Sequence, residues 1–317
     1  MNIYHGIPDD ASQLAGILSI GNFDGVHLGH QQILRVLVKQ ACDLSLPAVA
    51  MTFDPHPLTL LNPENRPPQL TQRDQKIELI AASGVDHLII YPTTGSLLNM
   101  TPHAFFEDIL CKELEMKGLV EGPNFFFGKN RAGNVKLLEQ FCSRAGLAFH
   151  IVMPQIIDGQ MVSSTAIRNQ IASGDVKSAA AFLGRPYQIR GTVITGNARG
   201  RTLGFPTANL SQIHNLIPQN GVYAGTVQLL DEDNKPVDPV YSAAIHVGPI
   251  PTFHDEQRRI EVHLLQFEGS LYDQMLAVNF IEQIRETRLF ADAAELQQQL
   301  QIDISLVRQC VSERQSN

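Results

Sequence analysis

The feature that most constrains this chain is a change of period near residue 186. Before it, short apolar runs alternate with helical stripes. Residues 16–20 (GILSI) read as a buried strand, and after a glycine-rich turn Ile33, Leu34, Leu37, Val38 and Ala41 mark one face of a helix. A strand at 48–53, a helix around 75–82 and a strand at 87–91 follow. The alternation continues with a helix at 103–115, a short run at 118–120, a helix around 135–145 and a strand at 148–153. Such alternation predicts right-handed crossovers and a Rossmann-like parallel sheet covered by helices on both faces.

After Pro186 the pattern is strand after strand. Residues 188–194, 222–230, 239–247, 259–267 and 275–280 read as five strands separated by turn signals. Only 291–308 is helical, with Leu296, Leu300, Ile304 and Val307 in a stripe. A small antiparallel β-barrel with a C-terminal helix is the predicted second fold. The expected hinge is Gly184-Arg185-Pro186, giving domains 1–185 and 186–317, and 317 residues exceed what one core usually holds.

A formal net charge of −8 argues against a protein that coats nucleic acid, which needs a broad basic face. Cys42, Cys111, Cys142 and Cys310 form no CxxC pair, so neither a zinc knuckle nor a disulfide framework is expected. The first residues have no basic and apolar leader pattern, and no apolar run approaches the roughly 18–20 residues of a bilayer span. The expectation is a cytoplasmic protein with no membrane or nucleic-acid partner. Nothing in the pattern bears on oligomeric state.

Two segments carry chemistry. The first, residues 21–30 (GNFDGVHLGH), falls where the first strand ends and the first helix begins, the place where helix N–H groups converge on an anion. Gly25 and Gly29 permit close backbone approach to phosphate. The segment is neither a dinucleotide fingerprint nor a Walker A loop. His27 and His30 can face one ligand, serve only as caps, or join Asp24 and His56 around a metal. Downstream, residues 163–168 (SSTAIR) open a helix with hydroxyls placed to cap it. Arg168 stands in the first turn, where the helix dipole disfavours a cation, so either an anion or solvent meets it. The second segment, residues 196–210 (GNARGRTLGFPTANL), is a glycine-rich loop in the all-β region. It reads as a phosphate-approaching loop or as an ordinary mobile hairpin.

In order and spacing, GNFDGVHLGH, TFDPHP (52–57), GPNFFFGKNR (122–131) and SSTAIR resemble the FMN adenylyltransferase module of prokaryotic bifunctional FAD synthetases. PTAN (206–209), Gly221-Val222-Tyr223 and IEVHLLQF (260–267) resemble the riboflavin kinase module that follows it in that family. The resemblance spans about residues 13–308. It implies FAD synthesis from riboflavin, ATP and Mg²⁺ by way of FMN. By that resemblance His27, His30 and Arg168 are catalytic in the first half and Glu261 is the base in the second. Gly21, Asn22, Phe23, Asp24, Ser164 and Thr165, and then Gly196, Gly200, Arg201 and Gly204, would bind nucleotide. Phe53, Pro55, His56, Asn124 and Arg285 would contact flavin, and Thr207 with Asn209 would hold Mg²⁺.

The chain departs from the family pattern at several places. Phe125–Phe127 lacks the polar middle residue often found there. Gln266 replaces an Asp, SLYD (270–273) an acidic-Leu-Tyr-Gly turn, and His246-Val247-Gly248 an Asn-Ile-Gly run. RETRLF (285–290) lacks the customary Glu and Lys. Two other readings therefore accompany the bifunctional one: an adenylyltransferase whose barrel only binds flavin, and a metal-dependent phosphohydrolase built on His27, His30, Asp24 and His56.

Overall fold

A computed structural model describes residues 1–196, 204–250 and 255–315. Two compact units emerge: Met1–Pro67 with Arg73–Val162, and Pro68–Gln72 with Ser163–Asn317.

The first unit holds six parallel strands: β1 (Asn2–His5), β2 (Ile17–Ile20), β3 (Ala48–Asp54), β4 (His87–Pro92), β5 (Gly118–Glu121) and β6 (Ala148–Ile151). Their order is β1-β4-β3-β2-β5-β6. Side chains alternate between two layers as a buried parallel sheet requires. Leu18, Ile20, Val49, Met51, Ile89 and Leu119 face one layer; Ile17, Ala48, Ala50, Leu88, Ile90 and Val120 face the other. Helices α1 (Leu28–Asp43) and α2 (Arg73–Ala81) cover the second layer through Leu34, Leu37 and Ile80. Helix α3 (Val135–Ala145) covers the first, opened by the Asn134 side chain accepting from the Leu137 N–H. The segment predicted as a helix at 103–115 is a π-helix over Phe105–Glu113, preceded by the short helical turn Pro102–Ala104. Its wider turn brings Phe105, Phe106, Ile109 and Leu110 into the core together. β1 is absent from the sequence reading because an exposed edge strand shows little apolar alternation.

The second unit begins with α4 (Ser164–Ala172) and α5 (Val176–Leu183). Six antiparallel strands then close a barrel: β7 (Tyr187–Ile194), β8 (Ala208–Ser211), β9 (Gly221–Leu230), β10 (Pro236–Ile250), β11 (Asp255–Leu264) and β12 (Met275–Arg285). Their closed order is β7-β8-β11-β10-β9-β12. Ile189, Val193, Tyr223, Val227, Ile245, Val262, Val278 and Phe280 are fully buried. The sixth strand, β8, lies inside the stretch read as a loop, because four residues after a glycine run are too few to show a period.

Helix α6 (Ala293–Gln315) packs Ile304, Val307, Cys310 and Val311 on Ala224, Leu265 and Ile281 of the barrel's outer surface. Its contact stripe also contains a carboxylate, Asp303, only 1% exposed. The Arg285 guanidinium pairs with it through three hydrogen bonds of 2.8–3.0 Å. Pro68–Gln72 belongs to this unit through its backbone. The Leu216 N–H donates to the Gln69 carbonyl (2.7 Å), and Asn215 Nδ2 donates to the Leu70 carbonyl (3.1 Å). Among the described residues no helix is long and apolar enough to cross a membrane.

Candidate functional site

The chain runs outward from β2 through β3 to β4 on one side of the sheet, then resumes at β5 on the other. That reversal opens a crevice at the carboxyl ends of β2 and β5, where open α/β sheets bind ligands. β2 and β5 pair only at Ile17–Gly118 and Leu18–Leu119. Beyond that the buried Glu121 carboxyl takes over, accepting the Ile20 N–H at 2.7 Å. Burial pushes the Glu121 pKa well above the usual carboxylate range, with the Ile20 N–H opposing.

The turn after β2 is tightly determined. Phe23 (φ 46°), Gly25 (φ 83°) and Val26 (φ 37°) all take left-handed backbone, and Phe23 and Val26 are 1% exposed. Strain of that kind persists only where packing over-determines it. His27 then caps α1, its Nδ1 accepting the His30 N–H at 3.3 Å. Accepting at Nδ1 leaves Nε2 as the protonated, donating nitrogen of a neutral His27. The His27 and His30 rings stack with centroids 3.7 Å apart, and Phe23 meets His30 edge-on at 5.4 Å. Burial first, then the unfavourable neighbourhood of the His27 imidazole and the Lys76 charge, holds His30 well below the ordinary imidazole value. His30 is therefore neutral at neutral pH. Its Nδ1 is buried without a hydrogen-bond partner among the described residues. Two stacked imidazoles at a helix N-terminus suit a polyphosphate.

Beside them lies a cavity of about 510 Å³ lined by Gly21, Asn22, Phe53, His56, Asn124 and Phe126, among others. Five residues singled out from the sequence thus meet at one cavity. Pro55, also expected there, follows a cis peptide, and its carbonyl accepts the Thr93 hydroxyl at 2.5 Å. Asp24 is buried, and its charge, with that of Asp54, acts on Lys76. Burial nevertheless lowers the Lys76 pKa. Lys76 escaped the sequence reading because a lysine on a helix carries no signal of burial. Glu121 escaped it because its strand reads as apolar.

Ser164, Thr165 and Arg168 stand at the start of α4 in the second unit. Ser163 is the cap, accepting the Ala166 N–H at 3.2 Å. Arg168 Nε donates to the Pro68 carbonyl at 2.8 Å.

On the barrel, strand register decides the geometry. Glu261 is paired with Asn209 on one side and His246 on the other. Ile260, Val262 and Leu264 point inward and are buried, which puts Glu261 and His263 on the outer face. His263 Nδ1 donates to the Pro206 carbonyl at 2.8 Å, tying down the segment that carries Thr207. Asn209 Oδ1 and His246 Nδ1 are buried without hydrogen-bond partners among the described residues. Burial, reinforced by the Arg285 charge, lowers the His246 pKa to about 4. Gly196 is required here, since a side chain would overlap the Asn209 carboxamide. Gly204, with φ 86°, is exposed. Gly200 and Arg201 lie outside the described residues. Arg285, expected at the flavin, has its guanidinium on Asp303 and so braces α6.

No group of three or more His, Cys, Asp or Glu is placed to share a metal ion among the described residues, so the phosphohydrolase reading finds no metal centre there.

The FAD synthetase family model matches residues 9–166, and the riboflavin kinase family model matches 183–311. The chain is 34% identical over 309 residues to the bifunctional riboflavin kinase/FMN adenylyltransferase of Haemophilus influenzae, covering 97% of this chain and 98% of that one. Identity to the Escherichia coli K12 enzyme of the same description is 34% over 305 residues, covering 96% of each chain. A crystal structure described as a macrolide-efflux protein from Streptococcus pneumoniae superposes with a TM-score of 0.81 at 31% identity, covering 92% of this chain and 93% of that one. Both family models in chain order, together with relatives matched nearly end to end, show that the chain belongs to the bifunctional riboflavin kinase/FMN adenylyltransferase family.

Proposed function

We propose that the strand-end crevice transfers AMP from ATP to FMN, giving FAD and pyrophosphate, and that the outer row of the barrel transfers the ATP γ-phosphoryl group to riboflavin, giving FMN. The observation that carries this division is the difference in protonation chemistry between the two sites. The FMN phosphate, with a second pKa of about 6, is largely ionised at neutral pH and attacks the α-phosphorus unaided. What remains is to place it in line and to stabilise charge on the phosphates, which neutral His27 and His30 do by donating hydrogen bonds. Ser164, Thr165 and Arg168 are assigned as further donors, Gly21–Asp24 as the nucleotide turn, and Phe53, His56 and Asn124 as flavin contacts.

The ribityl 5′-hydroxyl of riboflavin keeps its proton at neutral pH. Glu261 accepts that proton as the oxygen attacks the γ-phosphorus and ADP leaves. The unpartnered Asn209 Oδ1, in register beside Glu261, fits an oxygen ligand for Mg²⁺, with Thr207 as the second. When bound, Mg²⁺ neutralises charge on the ATP phosphates.

The functional border is placed at 185/186. The family matches end at 166 and resume at 183, while the compact units divide at Val162/Ser163. Cytoplasmic residence is proposed on the four unpaired cysteines. The test is to incubate the full chain with riboflavin, ATP and Mg²⁺ and to separate products chromatographically. FMN followed by FAD is expected. FAD formed only when FMN is supplied would reduce the barrel to a flavin-binding module.

A further inference from the structure

Phe126 is the exposed member of three consecutive phenylalanines. Phe125 and Phe127 stack on each other, centroids 5.6 Å apart and 15° between planes, and Phe127 is buried. Phe126 faces the other way and leaves 44% of its surface exposed while lining the 510 Å³ cavity. A single exposed phenylalanine needs no explanation. This one is held in place.

The Arg131 guanidinium lies over the Phe126 ring, 4.5 Å from its centroid. Arg131 is positioned by an unusual backbone: both Asn130 (φ 55°) and Arg131 (φ 56°) are left-handed. Two successive non-glycine residues in that region are costly and persist where the surroundings dictate them. The surroundings do so here. Gly128 packs so closely that a Cβ would stand 2.7 Å from the Pro102 nitrogen, and the Lys129 N–H donates to the Met100 carbonyl at 2.7 Å. The loop thus fixes the Phe126 ring before any ligand arrives, and a pre-set ring loses little entropy on binding.

We propose that Phe126, pinned by Arg131, is the platform on which the isoalloxazine ring of the adenylyl acceptor stacks. The proposal rests on the reading of this cavity as the FMN site. Phe126 and the Arg131 that covers one face of its ring both line the cavity, with Phe53, Leu61 and Leu97 among its apolar walls. A flat aromatic ligand gains from such a ledge in the ground state and the transition state alike, so the platform sets KM for FMN and leaves kcat alone.

The test uses the full-length protein with ATP and supplied FMN. Phe126→Ala is expected to raise KM for FMN about 5- to 100-fold, the range that loss of one stacking partner gives. The kcat value and KM for ATP should stay within about twofold of wild type. Phe126→Tyr should restore KM, and Arg131→Gln should raise it in the same direction by about 2- to 5-fold. Quenching of bound FMN fluorescence should be weaker in Phe126→Ala and recovered in Phe126→Tyr. An unchanged KM for FMN in Phe126→Ala, with wild type active, overturns the proposal. So does a joint loss of kcat and both KM values that Phe126→Tyr fails to repair, which would make the ring a support of the loop. Absence of FAD synthesis in wild type removes the reading of the cavity, and the platform with it.

Discussion

In the first unit the candidate catalytic groups are two stacked imidazoles at the end of a parallel sheet; in the barrel they are a carboxylate and a carboxamide side by side on an antiparallel ladder. The first arrangement uses a helix cap, so its donors are set by three or four consecutive residues. The second uses register, bringing together residues 209, 246 and 261 from three strands. The difference follows the acceptors. An ionised phosphate needs donors around it, which one helix start supplies. A hydroxyl needs a base as well, and on the proposed assignment that is Glu261 from a separate strand.

The strongest way to break this comparison is Glu261→Gln. Riboflavin phosphorylation should fall by about 10²–10⁴-fold, while conversion of supplied FMN to FAD is spared. Wild-type phosphorylation in this variant would mean that the carboxylate is not the base. The reciprocal variant, His30→Ala, should lower FAD formation about 100–1,000-fold with FMN formation unchanged, measured on the same two substrates. Equal loss of both activities in either variant would show one shared site or a misfolded chain.

Stability sharpens the same contrast. Asp303→Ala leaves the Arg285 charge without its partner under α6, a change worth roughly 3–5 kcal/mol for a fully buried pair. Arg285 keeps 18% of its side-chain surface exposed, so the lower end is expected, read from urea unfolding. FAD formation from FMN should persist at temperatures where FMN formation has failed.

The smallest effect concerns pH. His246 is lowered to about 4 in the folded barrel and returns to about 6.5 when unfolded. Its contribution is therefore fully present above pH 6.5 and is lost as pH falls toward 4, because the unfolded chain takes up the proton first. His246→Asn should flatten the dependence of the urea midpoint between pH 7 and 5. His30, also held low, acts in the same direction in the first unit. A slope unchanged by His246→Asn would assign the acid sensitivity of the barrel elsewhere.

Local sequence was enough where a feature follows a clear period or a close neighbour. The stripe Leu34–Leu37–Ala41, the cap at His27 and the alternation Ile260–Val262–Leu264 each follow from a period or a neighbour a few residues away. The π-helix at Phe105–Glu113 was not legible, since α and π turns share much the same apolar spacing over nine residues. Nor was the attachment of Pro68–Gln72 to the second unit, which depends on its carbonyls accepting from the Leu216 N–H and the Asn215 side chain almost 150 positions away.

By itself the sequence determined two fold types in order, the strand-to-helix turn with its paired histidines, and the family motifs that name the chemistry. Tertiary structure alone decided which side chains meet. Periodicity reports only which face of an element is apolar, and a buried carboxyl such as Glu121 or Asp303 looks like any surface acid until its partner is in place. Phe126 reads in the sequence only as a departure from a polar position, and the tertiary structure alone shows its half-exposed ring lining the cavity with Arg131 across it.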